Sequence, residues 1–385
     1  MNYISQEYIE QGIKVEISVL DIPKKTKEYH LIFHFTNCSS KFENQVESLY
    51  TVLEKYIHQN LLPDTKPIFA RCYLSDIVNQ HNEIGKILSL LECSVSIIGQ
   101  PMMDGSKIAL WVIMRTNVEI IRKNEAFIIS HNGYLQSFFS ERIDEKFSNL
   151  NINEQTSHLL TTFEEKLKTF DYSLEANCLR TWFYINDIDN NYFEFAKARK
   201  ENFEKNGLTT KTHFIASTGI EGKLQYPQQK IMMDAYVIEG LDKEQIQYLY
   251  ASDCMSSTMN YGVTFERGVM IAYGDRKNVF ISGTASIDQY GNIVHIGDIE
   301  KQLLRMLQNV KILLEEAGCS FEDISMMIIY IRDIGDYPFV RNYFDKYFSQ
   351  IPTLILLSSI CRPAWLIEIE CIASTTSYNA SFSDY

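Results

Sequence analysis

Hydrophobic and polar positions along this chain follow two periods, and the order in which those periods switch is repeated. The clearest stretch runs from residue 279 to residue 373. VFISGTASID (279–288) and IVHIG (293–297) are β-rich, and the QYGN between them is a turn signal, so a hairpin is expected. Apolar residues then fall at 299, 303, 306, 307, 310, 313, 314 and 317, the period of a helix. Asp298 is placed to cap that helix, because a carboxylate there accepts from the free N–H groups of the first turn. Gly318 is placed to stop it, since glycine takes positive φ without strain. ISMMIIYIRDI follows as a buried strand, DYPFVRNYFDKYF as a second helix, and PTLILLSSI and WLIEIECIA as strands.

The same order occurs twice upstream. HLIFHF, a helix through NQVESLYTVLEKYI, IFARCYLSDI, SVSIIG and KIALWVIM form one series. EAFIIS, a helix through TSHLLTTFEEKL, LRTWFYINDI, a helix through FEFAKARKENFEK, THFIAST and IMMDAYVI form the next. One strand of each series ends alike, in YLSDI (73–77), YINDI (184–188) and YIRDI (330–334). A helix glutamine keeps step with it: Gln45 is 28 residues before Tyr73, Gln155 is 29 before Tyr184, and Gln302 is 28 before Tyr330. The expected fold is α+β, three copies of a β-β-α-β-α-β-β unit with both helices on one face of a mixed sheet. The copies should occupy residues 1–120, 121–250 and 251–385, with hydrophilic joints at 116–126 and 241–260.

Composition narrows the partners. Of 385 residues, 45% are hydrophobic and 22% charged, which suits a globular chain with more than one core. A net charge of −13 argues against nucleic-acid partners, whose phosphates need a basic surface. No run of 18 apolar residues is present, so no membrane span is expected, and MNYISQEYIEQGIKVEI lacks the apolar core of a signal peptide. The eight cysteines include no CxxC pair and no zinc-like spacing, which points to buried thiols in a cytoplasmic protein. Neither a metal nor an organic cofactor is expected, as GxGxxG, P-loop and HExxH patterns are absent.

At SGTAS (282–286), YIRD and CRPAWLIEIE (361–370) the third copy resembles the Rid (YjgF/UK114) family, small chorismate-mutase-like domains that assemble as trimers with sites between subunits. Within that superfamily the chain is most similar to the chorismatases. The ordered elements are LRTWFYI (179–185), ASTGI (216–220), YGVTFERG (261–268), FISGTASI (280–287), HIGDIEKQ (295–302), IYIRD (329–333) and CRPAWLIEIE. The resemblance implies a single-chain pseudo-trimer, monomeric or in a small homo-oligomer. It also implies hydrolysis of the enolpyruvyl ether of chorismate, or of a similar small carboxylic acid. Pyruvate would leave, with a hydroxybenzoate or a dihydroxycyclohexadiene acid as the other product. Two alternatives remain open: a divergent deaminase of 2-imino or enamino acids, and a non-catalytic small-molecule-binding protein. Rid deaminases hold the substrate carboxylate with an Arg in the strand before their terminal EIE, and PTLILLSSI has none.

In WLIEIEC the alternation puts Glu368 and Glu370 on one face. Two carboxyls on one face of a partly apolar cleft raise each other's pKa, which suits a general acid near neutral pH. The corresponding strand of copy one has no acid and that of copy two only Asp234, so the site is expected in copy three. Glu368 matches the family's catalytic acid, and Cys361 resembles the Cys of chorismatases that form 3-hydroxybenzoate. For an acidic substrate, Arg332 and Arg267 are the leading carboxylate holders, with Arg180 and Arg362 behind them. Tyr261, Tyr330, Gly283, Thr284 and Ala285 complete the expected substrate contacts.

Overall fold

The computed structural model describes residues 1–59, 61–252, 254–256 and 263–385. Copy one runs β1 (Asn2–Tyr8), β2 (Ile13–Val19), β3 (Glu28–Phe35), α1 (Phe42–Ile57), β4 (Thr65–Leu74), α2 (Ile77–Leu88), β5 (Ser94–Gly99) and β6 (Ile108–Thr116). Copy two runs β7 (Glu119–Lys123), β8 (Ala126–His131), β9 (Tyr134–Arg142), α3 (Ile152–Lys168), the single turn α4 (Leu174–Asn177), β10 (Cys178–Ile185), α5 (Ile188–Lys205), β11 (Ala216–Glu221) and β12 (Ile231–Glu239). Copy three runs β13 (Ile246–Leu249), β14 (Gly268–Ala272), β15 (Arg276–Ala285), α6 (Ile299–Glu316), β16 (Ile324–Ile331), α7 (Tyr337–Tyr347), β17 (Thr353–Leu357) and β18 (Ile367–Thr376). Each copy forms one six-stranded sheet, and the orders are equivalent: β1-β2-β3-β6-β4-β5, β7-β8-β9-β12-β10-β11 and β13-β14-β15-β18-β16-β17. The last two strands in each order are parallel and the remaining described pairs antiparallel, so each sheet is mixed.

The repeated glutamine has a structural reason. Gln45, Gln155 and Gln302 are each at most 1% exposed. Their side-chain carbonyls accept from the N–H of Lys107, Lys230 and Leu366, the residue just before the last strand of each copy. The carbonyls of those same three residues accept from the N–H of Ser75, Asn186 and Arg332, two positions after the repeated Tyr. One carboxamide therefore fixes where the last strand begins, and an unpaired buried N–H there would be costly. The Asp of the repeated motif ends the strand by starting the next helical segment: Asp76, Asp187 and Asp333 are N-caps.

Strands buried on both faces account for the long apolar runs. In β10, Phe183 and Ile185 pack against helices α3 and α5 of their own copy, while Trp182 and Tyr184 join a shared core with Tyr73 and Tyr330. In β4, Cys72 and Leu74 face α1 and α2, whereas Phe69 and Tyr73 face the shared core. The sheets thus carry helices outside and meet one another inside, as a pseudo-trimer in one chain.

Three local expectations need correction. Each unit has one more strand than expected, an edge strand at its start. The hairpin at 279–297 does not form; β15 pairs with β14, and 293–297 contributes one isolated bridge, Ile287 to Ile293. His295 and Gly297 take φ of 60° and 76°, which an extended strand does not permit. The joint at 116–126 contains the edge strand β7, which turns into β8 through Asn124 and Glu125 at positive φ. Its charged, exposed face reads as a linker because edge strands are often blunted by charge. The segment 241–260 likewise contains β13. Among the described residues, no helix is long and apolar enough to cross a membrane.

Candidate active site

Edge strand β11 of copy two lies along the beginning of sheet three, and the seam is closed by side chains. Ser217 N–H donates to Ser282 Oγ (2.9 Å), Ser282 Oγ donates to the Glu266 carbonyl (2.6 Å), and Gly283 N–H donates to Thr218 Oγ1 (3.0 Å). Beside this seam is a cavity of about 150 Å³. Copy three lines it with Glu368 from β18, Gly283 and Ala285 from β15, Arg267 ahead of β14, and Cys361, Arg362 and Trp365 from the β17–β18 connection. Copy two contributes Ser217 and Gly219 from β11, and Tyr192 and Arg199 from α5.

Glu368 and Glu370 share a face of β18 yet have different surroundings. Glu370 Oε2 accepts from Arg180 Nη2 (2.6 Å), Trp182 Nε1 (2.8 Å) and Thr218 Oγ1 (2.6 Å), and Oε1 accepts from the Tyr330 hydroxyl (2.7 Å). That set satisfies a buried carboxylate and fixes it. Glu368, 4% exposed, faces the cavity. Its pKa is pushed up from 4.5 to about 8, first by burial and then by the Glu370 charge, with Arg180 and Arg267 opposing. At pH 7 such a group is protonated by about ten to one. An approach this close is available only at a glycine: a Cβ on Gly283 would overlap the Glu368 carboxyl.

The expected site residues separate into two groups. Glu368, Cys361, Arg267, Gly283, Ala285 and Arg362 line the cavity. Arg332 does not reach it: the guanidinium makes two 2.8 Å bonds to Asp189 of α5 and one of 2.6 Å to the Ile360 carbonyl, so it joins copies two and three. The expectation that Arg332 and Glu368 face one ligand is corrected accordingly. Tyr330 and Arg180 serve Glu370 rather than the cavity, and the Thr284 hydroxyl turns to the Ser282 carbonyl (2.8 Å). Tyr261 lies outside the described residues. The Cys361 thiol is pushed up to about 12 by burial and by Glu368, which keeps it neutral.

Arg199, Tyr192, Ser217 and Trp365 were not identified from sequence. Arg199 lies in FAKARK, where a cation on a charged helix ordinarily faces water; here it is 2% exposed, its guanidinium 5.0 Å from the Phe195 ring and 5.7 Å from that of Phe183. Those rings belong to its own copy, and copy three supplies the facing wall of the cavity that Arg199 lines.

Strand register shows why the acid occurs once. Tyr330 is paired with Glu368, Tyr184 with Met232 and Tyr73 with Ala109. Asp234 is therefore the counterpart of Glu370, not of Glu368, and it pairs with Arg71 of copy one (2.9 Å). Across the sheet Glu368 faces Ala285, while Met232 faces Arg142. Arg142 donates to Ser140 Oγ and to the Ile97 carbonyl, so a guanidinium bridges copies one and two at the position where copy three has the small Ala285.

Three equivalent mixed sheets in one chain, with an acid-bearing cavity on the seam between two of them, define a single-chain pseudo-trimer of Rid type. The sequence profile of the family described as Endoribonuclease L-PSP matches residues 269–375, within copy three. The 3-aminoacrylate deaminase RutC of Acinetobacter baylyi is 32% identical over 97 residues, 25% of this chain and 77% of that protein. A RutC family protein of Saccharolobus solfataricus is 35% identical over 98 residues, with 25% and 77% covered. The chain belongs to this Rid (L-PSP/RutC) family. A crystal structure of a chorismatase superposes with a TM-score of 0.61 at 18% identity, covering 82% of this chain and 95% of that one. This share is larger than the part of the chain beyond residue 120, so the common fold extends into copy one.

Proposed function

We propose that the chain is a chorismatase-like hydrolase, cleaving the enolpyruvyl ether of chorismate or of a similar small carboxylic acid. The observation that carries this reading is a buried carboxyl, Glu368, facing a cavity whose walls include Arg199, Arg267 and Arg362, a setting in which burial and the Glu370 charge push its pKa up. Enol-ether hydrolysis requires a proton at the terminal methylene carbon. Glu368 is suited to give it, the π electrons forming the new C–H bond and leaving an oxocarbenium ion. Water adds to the cationic carbon, and loss of a proton gives a hemiketal. Collapse of the hemiketal breaks the ether C–O bond, releasing pyruvate and the ring alcohol, and the Glu368 carboxylate regains its proton from water. The guanidinium groups suit the substrate carboxylates, and the Glu368 carboxylate left after proton transfer opposes the oxocarbenium charge. Purified protein given chorismate should release pyruvate, read by coupled lactate dehydrogenase, and Glu368→Gln should lose at least a hundredfold in kcat. No pyruvate from the wild type refutes the assignment.

The 32% identity to a 3-aminoacrylate deaminase supports a second reading. Protonation of an enamine carbon followed by hydrolysis of the iminium needs the same acid, and its signature is ammonia release from 3-aminoacrylate. The described β17 has no Arg to hold that substrate's carboxylate, which favours the first reading. Ligand binding without turnover, at equal affinity in Glu368→Gln, would identify a binding protein instead.

A further inference from the structure

We propose that Thr218, carried by copy two, is a positioning residue for the copy-three acid Glu368, its single hydroxyl tying Glu370 to the Gly283 backbone against which the Glu368 carboxyl rests. This inference rests on the reading of Glu368 as the proton donor. A hydroxyl has one proton to give and two lone pairs to accept with. Thr218 uses all three: it donates to Glu370 Oε2 (2.6 Å) and accepts from Gly283 N–H (3.0 Å) and from Arg180 Nη2 (2.5 Å). The residue is 1% exposed, so water does not substitute for these partners. Glu370 is itself held by Arg180, Trp182 and Tyr330, and it is two residues from Glu368 on one strand face. The β15–β18 ladder breaks between Ile281 and Thr284, and at that break the hydroxyl ties the Gly283 backbone to the Glu370 carboxylate.

The placement of Gly283 in that break governs the acid. A Cβ at Gly283 would overlap the Glu368 carboxyl and lie 3.1 Å from Thr218 Cγ2, so glycine and threonine methyl together close one side of the carboxyl. The charged and titratable groups around Glu368 are Glu370, Arg180, Arg267 and Cys361, with Arg199, Arg362 and Tyr192 on the cavity walls. Without the hydroxyl, Gly283 N–H and one lone pair of Glu370 lose a buried partner. The seam between β11 and β15 then relaxes toward water, and the desolvation that keeps Glu368 protonated weakens.

The test compares Thr218→Val, Thr218→Cys and Thr218→Ser. Each is measured alone and with Glu368→Gln added, and the pH dependence of the stability difference within each pair gives the pKa of Glu368 without any substrate. Thr218→Val and Thr218→Cys should lower that pKa by about one pH unit, a tenfold loss of the protonated form above pH 8. Thr218→Ser should hold the wild-type value. Where chorismate is cleaved, the alkaline fall of kcat/KM should move by the same amount. A Thr218→Val or Thr218→Cys protein that loses thermal stability while Glu368 titrates as in the wild type overturns the inference and leaves Thr218 a seam residue. If Thr218→Val does not fold, Thr218→Cys alone decides by the same criterion. Failure of the wild type to release pyruvate, with the Glu368 shift present, removes the proposed reaction and leaves the positioning role standing.

Discussion

Replacing Glu368 by Gln should stabilise the protein, and the gain should grow with pH. In the unfolded chain the carboxyl titrates near 4.5; in the folded chain it titrates near 8, chiefly because it is buried. Raising a pKa on folding makes the folded state bind the extra proton. Wild-type stability is therefore highest below 4.5 and falls by about 1.4 kcal/mol per pH unit as pH rises toward 8. The accumulated loss is about 3 kcal/mol at pH 7 and approaches about 5 kcal/mol by pH 9. Glutamine has nearly the same shape and does not titrate, and no described residue donates a hydrogen bond to Glu368 that the amide would forfeit. Urea unfolding of both proteins at fixed pH values from 4.5 to 9 gives the comparison. The two midpoints should coincide at pH 4.5 and separate steadily, with Glu368→Gln the more stable. A difference that does not change with pH, or a wild type more stable than the variant at pH 9, refutes the assignment of Glu368 as a buried, protonated acid.

Activity should follow the same group: kcat/KM for pyruvate release should fall as pH rises through about 8, because the proton donor is then lost. Gly283→Ala should abolish turnover while the far-UV circular dichroism stays native, since the added Cβ occupies the space of the Glu368 carboxyl. Arg180→Met leaves Glu370 buried without its cation and should cost about 3–5 kcal/mol, read as a lower urea midpoint. Cys361 should resist iodoacetamide at pH 8 in the native protein, since its thiol stays protonated there, and mass spectrometry should find it modified only after unfolding.

The three copies and the strand that carries the two acids were legible because they depend on short-range pattern. Gln45, Gln155 and Gln302 recur at nearly fixed spacing because each has the same backbone N–H to bond, and the motif Asp recurs because each copy starts a helical segment there. The edge strand β7 was not legible: an exposed, charged strand and a linker have the same composition. Arg332 was misplaced for a related reason. A cation in an apolar strand needs a partner, but sequence does not say whether that partner is a ligand or, as here, Asp189 of the neighbouring copy.

The sequence by itself determined three α+β copies and put a pair of carboxyls on one strand of the third, since a period of two fixes the face each side chain takes. Only the tertiary structure decided what those carboxyls do. Docking copy two against copy three gives Glu370 three donors, which with Tyr330 of its own copy fix it as part of the shared core, while Glu368 is left facing the cavity beside Gly283. It also brings Arg199, 169 positions earlier in the chain, to the same wall. Burial and neighbouring charge set a carboxyl's pKa, and both are properties of the packed seam rather than of any local stretch of residues.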